Sequence, residues 1–157
     1  MATLSSPHRL LTLERVALLR HLDFFSGAPG HVLAAVAVEA DEVVFAPNEI
    51  IMRRGETGDS LFVVVQGRIR IEIGGHHVED MGPGSVVGEL AVLVSEPRSA
   101  TITAIDECLL LRLRKAVFDE LLLDYPEVAR GVITALVRRF RERDFGVGSD
   151  PSETSTL

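Results

Sequence analysis

The sequence predicts a mainly β domain of short antiparallel strands, with helices at its amino and carboxyl ends. Runs rich in Val, Ile and Leu follow one another through the middle of the chain, and Gly, Pro, Asn and Asp separate them at short intervals. Apolar residues at helical spacing lie on both sides of this region. Many short strands with regular turns are typical of a sandwich, a jelly roll or a barrel. The chain has 157 residues, of which 46% are hydrophobic and 25% charged, and this fits one domain with a substantial core.

Residues 1–38 are predicted to form a helical lead-in. Ser6-Pro7 provides a capping hydroxyl and a proline at the first helical position, and apolar residues then recur at helical spacing as far as Leu22. Ser26-Gly27 interrupts this pattern, and a second, short helix is predicted at 29–38.

Residues 39–113 are predicted to form the β region. Strands are predicted within it at 43–45, 50–52, 61–65, 69–73, 100–105 and 109–113. The residues from Arg68 to Ile73 alternate strictly between charged and apolar, so this strand should have one charged and one apolar face. The only cysteine, Cys108, rules out an internal disulfide and is expected to be a small core residue on a strand.

Residues 114–144 are predicted to form two helices. The first covers 115–123 and ends at Tyr125-Pro126, because the residue before a proline avoids the α-helical conformation. The second begins at Pro126, and residues 145–157 after it are polar and predicted to be a disordered tail. The second helix has an apolar stripe at four-residue spacing, widened by two neighbours: Val128, Val132, Leu136 and Phe140, with Ile133 and Val137.

The charge balance limits the partners that the chain can have. A formal net charge of −7 and a pI near 5.2 argue against direct nucleic-acid binding. The arginine-rich stretch at 138–143 is expected to be a solvated helix face, and the apolar stripe opposite could join two copies as a homodimer through this helix. Because no run approaches the ~20 apolar residues of a membrane helix and no leader pattern is present, we expect a cytoplasmic protein without membrane contact.

The segment 82–101 carries the most chemical information. It begins with turn residues, passes through a short apolar helical turn at 89–94 and returns to a strand at Ala100. A helix start presents unpaired backbone N–H groups, and Gly88 would let a ligand approach that backbone closely. Arg98 can add a bidentate contact to phosphate oxygens, whereas Glu89 would repel phosphate and is better suited to accept a sugar hydroxyl. An anion site beside a hydroxyl acceptor suits a nucleotide with a free 2′-OH.

At this point the sequence resembles the cyclic-nucleotide-binding domain family, which occurs in bacterial catabolite activators, cyclic-nucleotide-dependent kinases and gated channels. Gly-Glu-Leu-Ala at 88–91 and Arg-Ser-Ala-Thr at 98–101 are similar to that family's phosphate-binding cassette. The glycine-rich turn at 55–62 and Leu-Asp-Phe-Phe at 22–25 resemble its other signatures, and the likeness extends over residues 16–143. The resemblance implies an antiparallel β-roll of about eight strands, with N-terminal helices and two C-terminal helices.

The resemblance also implies roles for individual residues. Arg98 would pair with the cyclic phosphate, and Glu89 would accept the ribose 2′-OH. The remaining ligand-binding positions would be Gly88, Leu90, Ala91 and Ser99. The pocket wall would include Ile71, Val78, Val87 and Ala100, and the last helix would cover the base with Leu136 and Arg139.

The sequence departs from the family pattern at two positions. Val86-Val87 stands where an aromatic residue commonly precedes the cassette glycine, and Arg143-Asp144 stands where bacterial activators place small hydroxyl residues against the base. Ser99 has a hydroxyl that guanine could also use, so the ligand could be cAMP or cGMP.

We therefore expect non-catalytic sensing of a cyclic nucleotide, without a cofactor or metal, and an unknown protein effector as the partner. Two alternatives stay open: a ligand-free scaffold of the same fold, and a cupin-like metalloenzyme. The enzyme is disfavoured because His76 and His77 are adjacent on an extended chain and should point to opposite faces, while His8, His21 and His31 lie in the helical lead-in.

Overall fold

The computed structural model describes residues 10–146, with side chains as far as residue 142. Helices α1 (Thr12–Arg20) and α2 (Gly30–Glu39) flank a 3-10 turn at Asp23–Phe25. Eight strands and three further helices follow in chain order: β1 (Asp41–Phe45), β2 (Ile50–Met52), β3 (Ser60–Gln66), β4 (Ile69–Ile73), β5 (His76–Met81), β6 (Val86–Val87), α3 (Glu89–Leu93), β7 (Thr101–Ala104), β8 (Cys108–Arg114), α4 (Lys115–Asp124) and α5 (Pro126–Gly146).

The strands form two four-stranded antiparallel sheets. The first sheet has the order β1-β8-β3-β6, and the second has the order β2-β7-β4-β5. The predicted antiparallel roll of about eight strands between helical elements is therefore confirmed.

Strand β3 lies at the centre of the packing because both of its faces are buried. Leu61 and Val63 pack with the helices on the outer face of the first sheet, while Phe62 and Val64 pack against the second sheet. This two-sided burial follows from the alternation of side chains along an extended strand. It explains why the run is apolar at every position rather than at every second one.

The strand predictions differ from the structure at β5 and β6, which the predicted runs did not include. β5 is mostly polar, and it forms because the chain turns back onto β4 at Gly74-Gly75. Both glycines have positive φ, as a two-residue hairpin turn of type I′ needs. β6 has only two residues and is defined by its pairing with β3. Neither strand has the β-branched and aromatic run on which the prediction depended.

The helix predictions agree closely with the structure from Leu10 onward. The second helix, the break at Tyr125-Pro126 and the start of α5 at Pro126 are confirmed. α5 continues to Gly146 and so includes two residues that were predicted to belong to a disordered tail, since neither glycine nor proline occurs between Gly131 and Gly146. The predicted helix start at Ser6-Pro7 and the rest of that tail lie outside the described residues.

The predicted apolar stripe of α5 leaves the core at its last member. Val128 and Val132 are buried, but Phe140 is exposed. A four-residue step advances a side chain by about 40° around a helix, so after three steps Phe140 faces away from Val128 by about 120°. Ala135 provides the further buried contact instead.

Arg15 joins α1 to the end of α2 and to β1. Its Nη1 donates to the carbonyl oxygens of Ala37 (3.0 Å) and Ala40 (2.7 Å), and its Nη2 donates to Glu42 Oε1 (2.9 Å). The Arg15 and Glu42 side chains are only 13% and 17% exposed. The guanidinium therefore satisfies carbonyl groups at the carboxyl end of α2 while it pairs with a carboxylate on β1.

We predict that Arg15→Ala lowers the free energy of unfolding by about 2–3 kcal/mol, because it removes the ion-pair partner of the largely buried Glu42 carboxylate and the side-chain donor to two carbonyl groups. Arg53→Ala is the matched control, since Arg53 pairs with Glu56 at 3.9 Å but both side chains are more than 60% exposed. Such an exposed pair should change the free energy of unfolding by less than about 1 kcal/mol. Urea denaturation of both variants tests the prediction, and equal losses would contradict it.

Candidate ligand-binding site

A cavity of about 380 Å³ lies at the open end of the second sheet, and we call it the cassette cavity. Its apolar wall is made by side chains of β2, β4, β5 and β7, and α3 and the loop 96–100 close its polar side. The apolar wall consists of Met52, Ile71, Ile73, Met81 and Ile102. An apolar wall opposite a few polar groups is typical of small-molecule sites.

Gly88 begins the polar side of the cavity and must be a glycine for two reasons. Its backbone is left-handed, with φ 78° and ψ 20°, where it caps the start of α3. A Cβ atom at this position would also lie 2.5 Å from Nη1 of Arg98 and 2.9 Å from the carbonyl oxygen of Ser60. The chain therefore passes closely over the Arg98 side chain, and only a glycine leaves the space for it.

Arg98 lines the cavity, and its side chain is closely packed against neighbouring backbone. Its Nη2 donates to the carbonyl oxygen of Ser60 at 2.8 Å, and its side chain lies so close to Gly58 that a Cβ atom there would be 2.0 Å from Nε. The Arg98 backbone bonds in both directions to the turn at 55–56, with Arg98 N to Glu56 O at 2.8 Å and Gly55 N to Arg98 O at 2.9 Å. The glycine-rich turn at 55–60 is therefore the structure that positions this arginine.

The electrostatic state of Arg98 is unusual for an arginine. Burial lowers the pKa of its guanidinium, and the negative charge of Asp59 opposes that shift. Nη1 is buried and has no hydrogen-bond partner among the described residues. An unpaired charged donor of this kind is costly unless an anion completes it, so the arrangement suits an acidic ligand.

Glu89 is the first residue of α3, and its carboxylate already has a partner. Its Oε1 accepts a hydrogen bond from Nη2 of Arg139 on α5 at 3.2 Å, and the two side chains are 24% and 37% exposed. Arg139 also lies 3.8 Å from Asp23 Oδ2, and its guanidinium is 5.3 Å from the centre of the Phe24 ring. The structure thus places the predicted lid arginine on Glu89 and not in the wall of the cassette cavity.

Most of the other predicted site residues meet at this cavity. Gly88, Leu90, Ala91, Ser99, Ile71, Val87 and Ala100 all line it together with Glu89 and Arg98. Leu136 does not line it, and packs partly buried against the helical core. The side chains of Arg143 and Asp144 lie outside the described part of the chain.

Val78 is also absent from the cavity wall, and a bulge in β5 is the reason. Ile71 pairs with Glu79 and Glu72 pairs with His77, so Val78 is an extra residue without a partner on β4. Its side chain is 51% exposed. Ile73 and Met81 line the wall instead; the alternation of Ile69, Ile71 and Ile73 could have predicted Ile73, whereas nothing in the sequence marks the bulge.

The histidines that could suggest a metal site are placed differently from a ligand set. His76 and His77 begin β5 directly after the glycine turn and are exposed, and His77 Nε2 lies 2.9 Å from Asp80 Oδ1. This hydrogen bond lowers the pKa of Asp80. Within residues 10–142, whose side chains the structure describes, His, Cys, Asp and Glu nowhere form a group of three or more that could hold a metal ion.

Three further observations concern the described residues. A second cavity, of about 340 Å³, lies between the 3-10 turn and α5, and contains none of the predicted ligand-binding residues. Among the described helices, none combines the length and the apolar character needed to cross a membrane. Cys108 is buried, and burial raises the pKa of its thiol, as expected for a core cysteine.

The comparison with known families agrees with this site. The family model of the cyclic nucleotide-binding domain matches residues 42–125, which include all eight strands except the first residue of β1. The match covers more than half of the sequence, and the chain therefore belongs to the cyclic nucleotide-binding domain family.

Individual relatives show the same likeness. A cyclic nucleotide-gated potassium channel of Rhizobium etli is 42% identical over 91 residues, which are 57% of this chain and 25% of the channel. The N-terminal domain of a transcriptional regulator from Streptomyces coelicolor has a TM-score of 0.75 and 28% identity, with 85% of this chain and 99% of that domain covered. The regulatory domain of Toxoplasma gondii PKA, solved with cAMP, has a TM-score of 0.63 and 25% identity, with 71% and 45% covered. The chain spans only about a quarter to two fifths of the first curated relatives that it matches.

We predict that Gly88→Ala lowers the free energy of unfolding more than Gly75→Ala does. Both glycines have a φ of 78°, but a Cβ atom at Gly75 would meet open space, whereas one at Gly88 would overlap Arg98 and the Ser60 carbonyl. The shared left-handed backbone should cost about 1–2 kcal/mol in each variant, and the overlap should at least double that loss at Gly88. Urea denaturation of the two variants measures the difference, and equal losses would show that Arg98 is not packed under Gly88.

Proposed function

We propose that this chain binds a cyclic nucleotide, cAMP or cGMP, without catalysis, and transmits its occupancy through α4 and α5 to a protein effector. The observation that carries the proposal concerns Arg98, which lines the cassette cavity. Its Nη1 atom is buried and has no hydrogen-bond partner among the described residues. A phosphate oxygen at this atom would complete the guanidinium with a charge-assisted hydrogen bond.

The rest of the cavity matches the other parts of such a ligand. Glu89, on the same polar side, can accept a sugar hydroxyl, and Ser99 adds a further hydroxyl. The apolar wall of β2, β4, β5 and β7 suits the face of a purine base. The cavity volume lies within the usual range for small-molecule sites of about 300–1,000 Å³.

The relatives support the same class of ligand. The Rhizobium etli protein is a cyclic nucleotide-gated channel, and the Toxoplasma gondii domain was solved with cAMP. These relatives share the domain and differ as whole proteins, so one kind of ligand-binding domain is combined with several kinds of effector. Ligand binding would act by population shift, favouring the arrangement of α4 and α5 that the occupied cassette stabilises.

We predict that Arg98→Ala weakens cyclic-nucleotide binding by about ten- to a hundredfold, because hydrogen bonds to charged groups contribute about 1.5–3 kcal/mol. Isothermal titration of the wild type with cAMP and cGMP provides the reference and the base preference. Arg70→Ala is the matched control. Arg70 lies on β4, a strand that contributes to the cavity wall, but its side chain pairs with Asp80 and does not line the cavity.

Arg98→Lys extends this test, because it keeps the charge and removes the planar, bidentate geometry. We expect its affinity to lie between those of the wild type and Arg98→Ala. Circular dichroism and thermal unfolding establish that each variant is folded. A folded Arg98→Ala protein with wild-type affinity would overturn the assignment of Arg98, and a wild type that binds neither nucleotide would favour the ligand-free scaffold.

We also propose that the exposed face of α5 joins two copies of the chain. Ile133, Val137 and Phe140 are exposed at i, i+4 and i+7 on this 21-residue helix, so they form one apolar seam that a second α5 would cover. We predict that Val137→Glu converts a dimer into a monomer, while Arg138→Glu does not, because Arg138 is exposed and lies about 100° or more around the helix from each residue of the seam. Sedimentation velocity measures this, and a monomeric wild type would contradict the proposal.

A further inference from the structure

Glu89 lies between two cavities, and this position gives its carboxylate a choice of partners. It lines the cassette cavity and also a small cavity of about 140 Å³ on the side of α5. Arg139 lines the small cavity, together with the 3-10 turn residues Asp23 and Phe24, but not the cassette cavity. The hydrogen bond from Arg139 therefore engages Oε1 of Glu89 from the side of α5.

Arg139 is itself well anchored in this position. Its guanidinium is 3.2 Å from Glu89 Oε1 and 3.8 Å from Asp23 Oδ2, and it lies over the Phe24 ring at 5.3 Å from the ring centre. One cation thus joins three elements: α5, the first residue of α3 and the 3-10 turn. Contacts of this kind strengthen one another, because the aromatic ring and the two carboxylates all attract the same positive charge.

Gly131 provides a second contact between α5 and the 3-10 turn. A Cβ atom at this position would lie 2.7 Å from the carbonyl oxygen of Phe24, so the backbone of the helix rests directly on the turn. Gly131 and Arg139 are separated by about 12 Å along the helix. Together with the buried residues Val128, Val132 and Ala135, these two contacts hold α5 against the rest of the domain.

We propose that Arg139 is an autoinhibitory residue that competes with the cyclic nucleotide for the Glu89 carboxylate. This inference rests on the proposed function, since it concerns the same site. A ribose hydroxyl in the cassette cavity takes Glu89 from Arg139, and α5 thereby loses this contact with α3, while Arg139 keeps Asp23 and Phe24 of the 3-10 turn. Ligand binding and the docked position of α5 therefore oppose each other, and each lowers the stability of the other by the same free energy.

The opposite role for Arg139 makes the opposite prediction. If Arg139 kept its bond to Oε1 while Oε2 accepted the ribose hydroxyl, it would be a positioning residue for Glu89. Removing it would then weaken ligand binding. The direction of the change in affinity distinguishes competition from positioning.

The test is isothermal titration of Arg139→Gln with cAMP and with cGMP. We expect about three- to tenfold tighter binding than in the wild type, which corresponds to the loss of one partly exposed ion pair with its aromatic contact. Arg141→Gln is the matched control, because it removes the same charge from an exposed residue of the same helix and should leave the affinity unchanged. Unchanged or weaker binding by Arg139→Gln would overturn the proposal.

Hydrogen exchange gives a second readout that separates this proposal from the proposed function. Ligand should speed exchange in the Arg139 region of α5 in the wild type, because it removes the contact with α3, and should not do so in Arg139→Gln, where this contact is already lost. A wild type that binds nucleotide without this change in exchange would overturn the competition alone. A wild type and an Arg139→Gln variant that both fail to bind would overturn the proposed function, and the competition with it.

Discussion

The close packing around the Arg98 side chain is the constraint on which the binding site depends. A guanidinium that is partly removed from water needs partners, and the protein supplies one of them in the carbonyl oxygen of Ser60. The close packing of this side chain requires glycine at 58 and at 88, on two segments that are thirty residues apart. The glycine-rich turn that contains Gly58 and the segment that begins at Gly88 look independent in the sequence, but both pack against the same arginine side chain.

The position of the Arg98 side chain depends in turn on β3. Ser60 is the first residue of β3, and the next four residues of the strand bury side chains alternately against the helices and against the second sheet. The carbonyl group that receives Arg98 is thus attached to the most constrained strand of the fold. A rigid support of this kind lets a short helix and a loop hold polar groups in fixed positions.

The sequence was sufficient for the order of the elements and for most of the site. Helical and extended periodicities predicted the flanking helices and six strands, and the residue types at 88–89 and 98–99 predicted a set that lines one cavity. Features set by pairing between distant segments could not be predicted in this way. The bulge at Val78, the two-residue strand β6 and the contact between Arg139 and Glu89 all depend on which segments meet in space.

Gly131 and Arg139 hold α5 by contacts of different kinds, and the part of the helix beyond its buried residues Val128, Val132 and Ala135 can act as a lever. At Gly131 the contact is one of shape, between backbone and backbone, and it is insensitive to charge. From this fulcrum to Gly146 the helix extends for about 22 Å, so a tilt of 10° would displace its far end by about 4 Å. A displacement at Arg139, about 12 Å from this fulcrum, would then be nearly doubled at the end of α5, where a partner could detect it as a change of position.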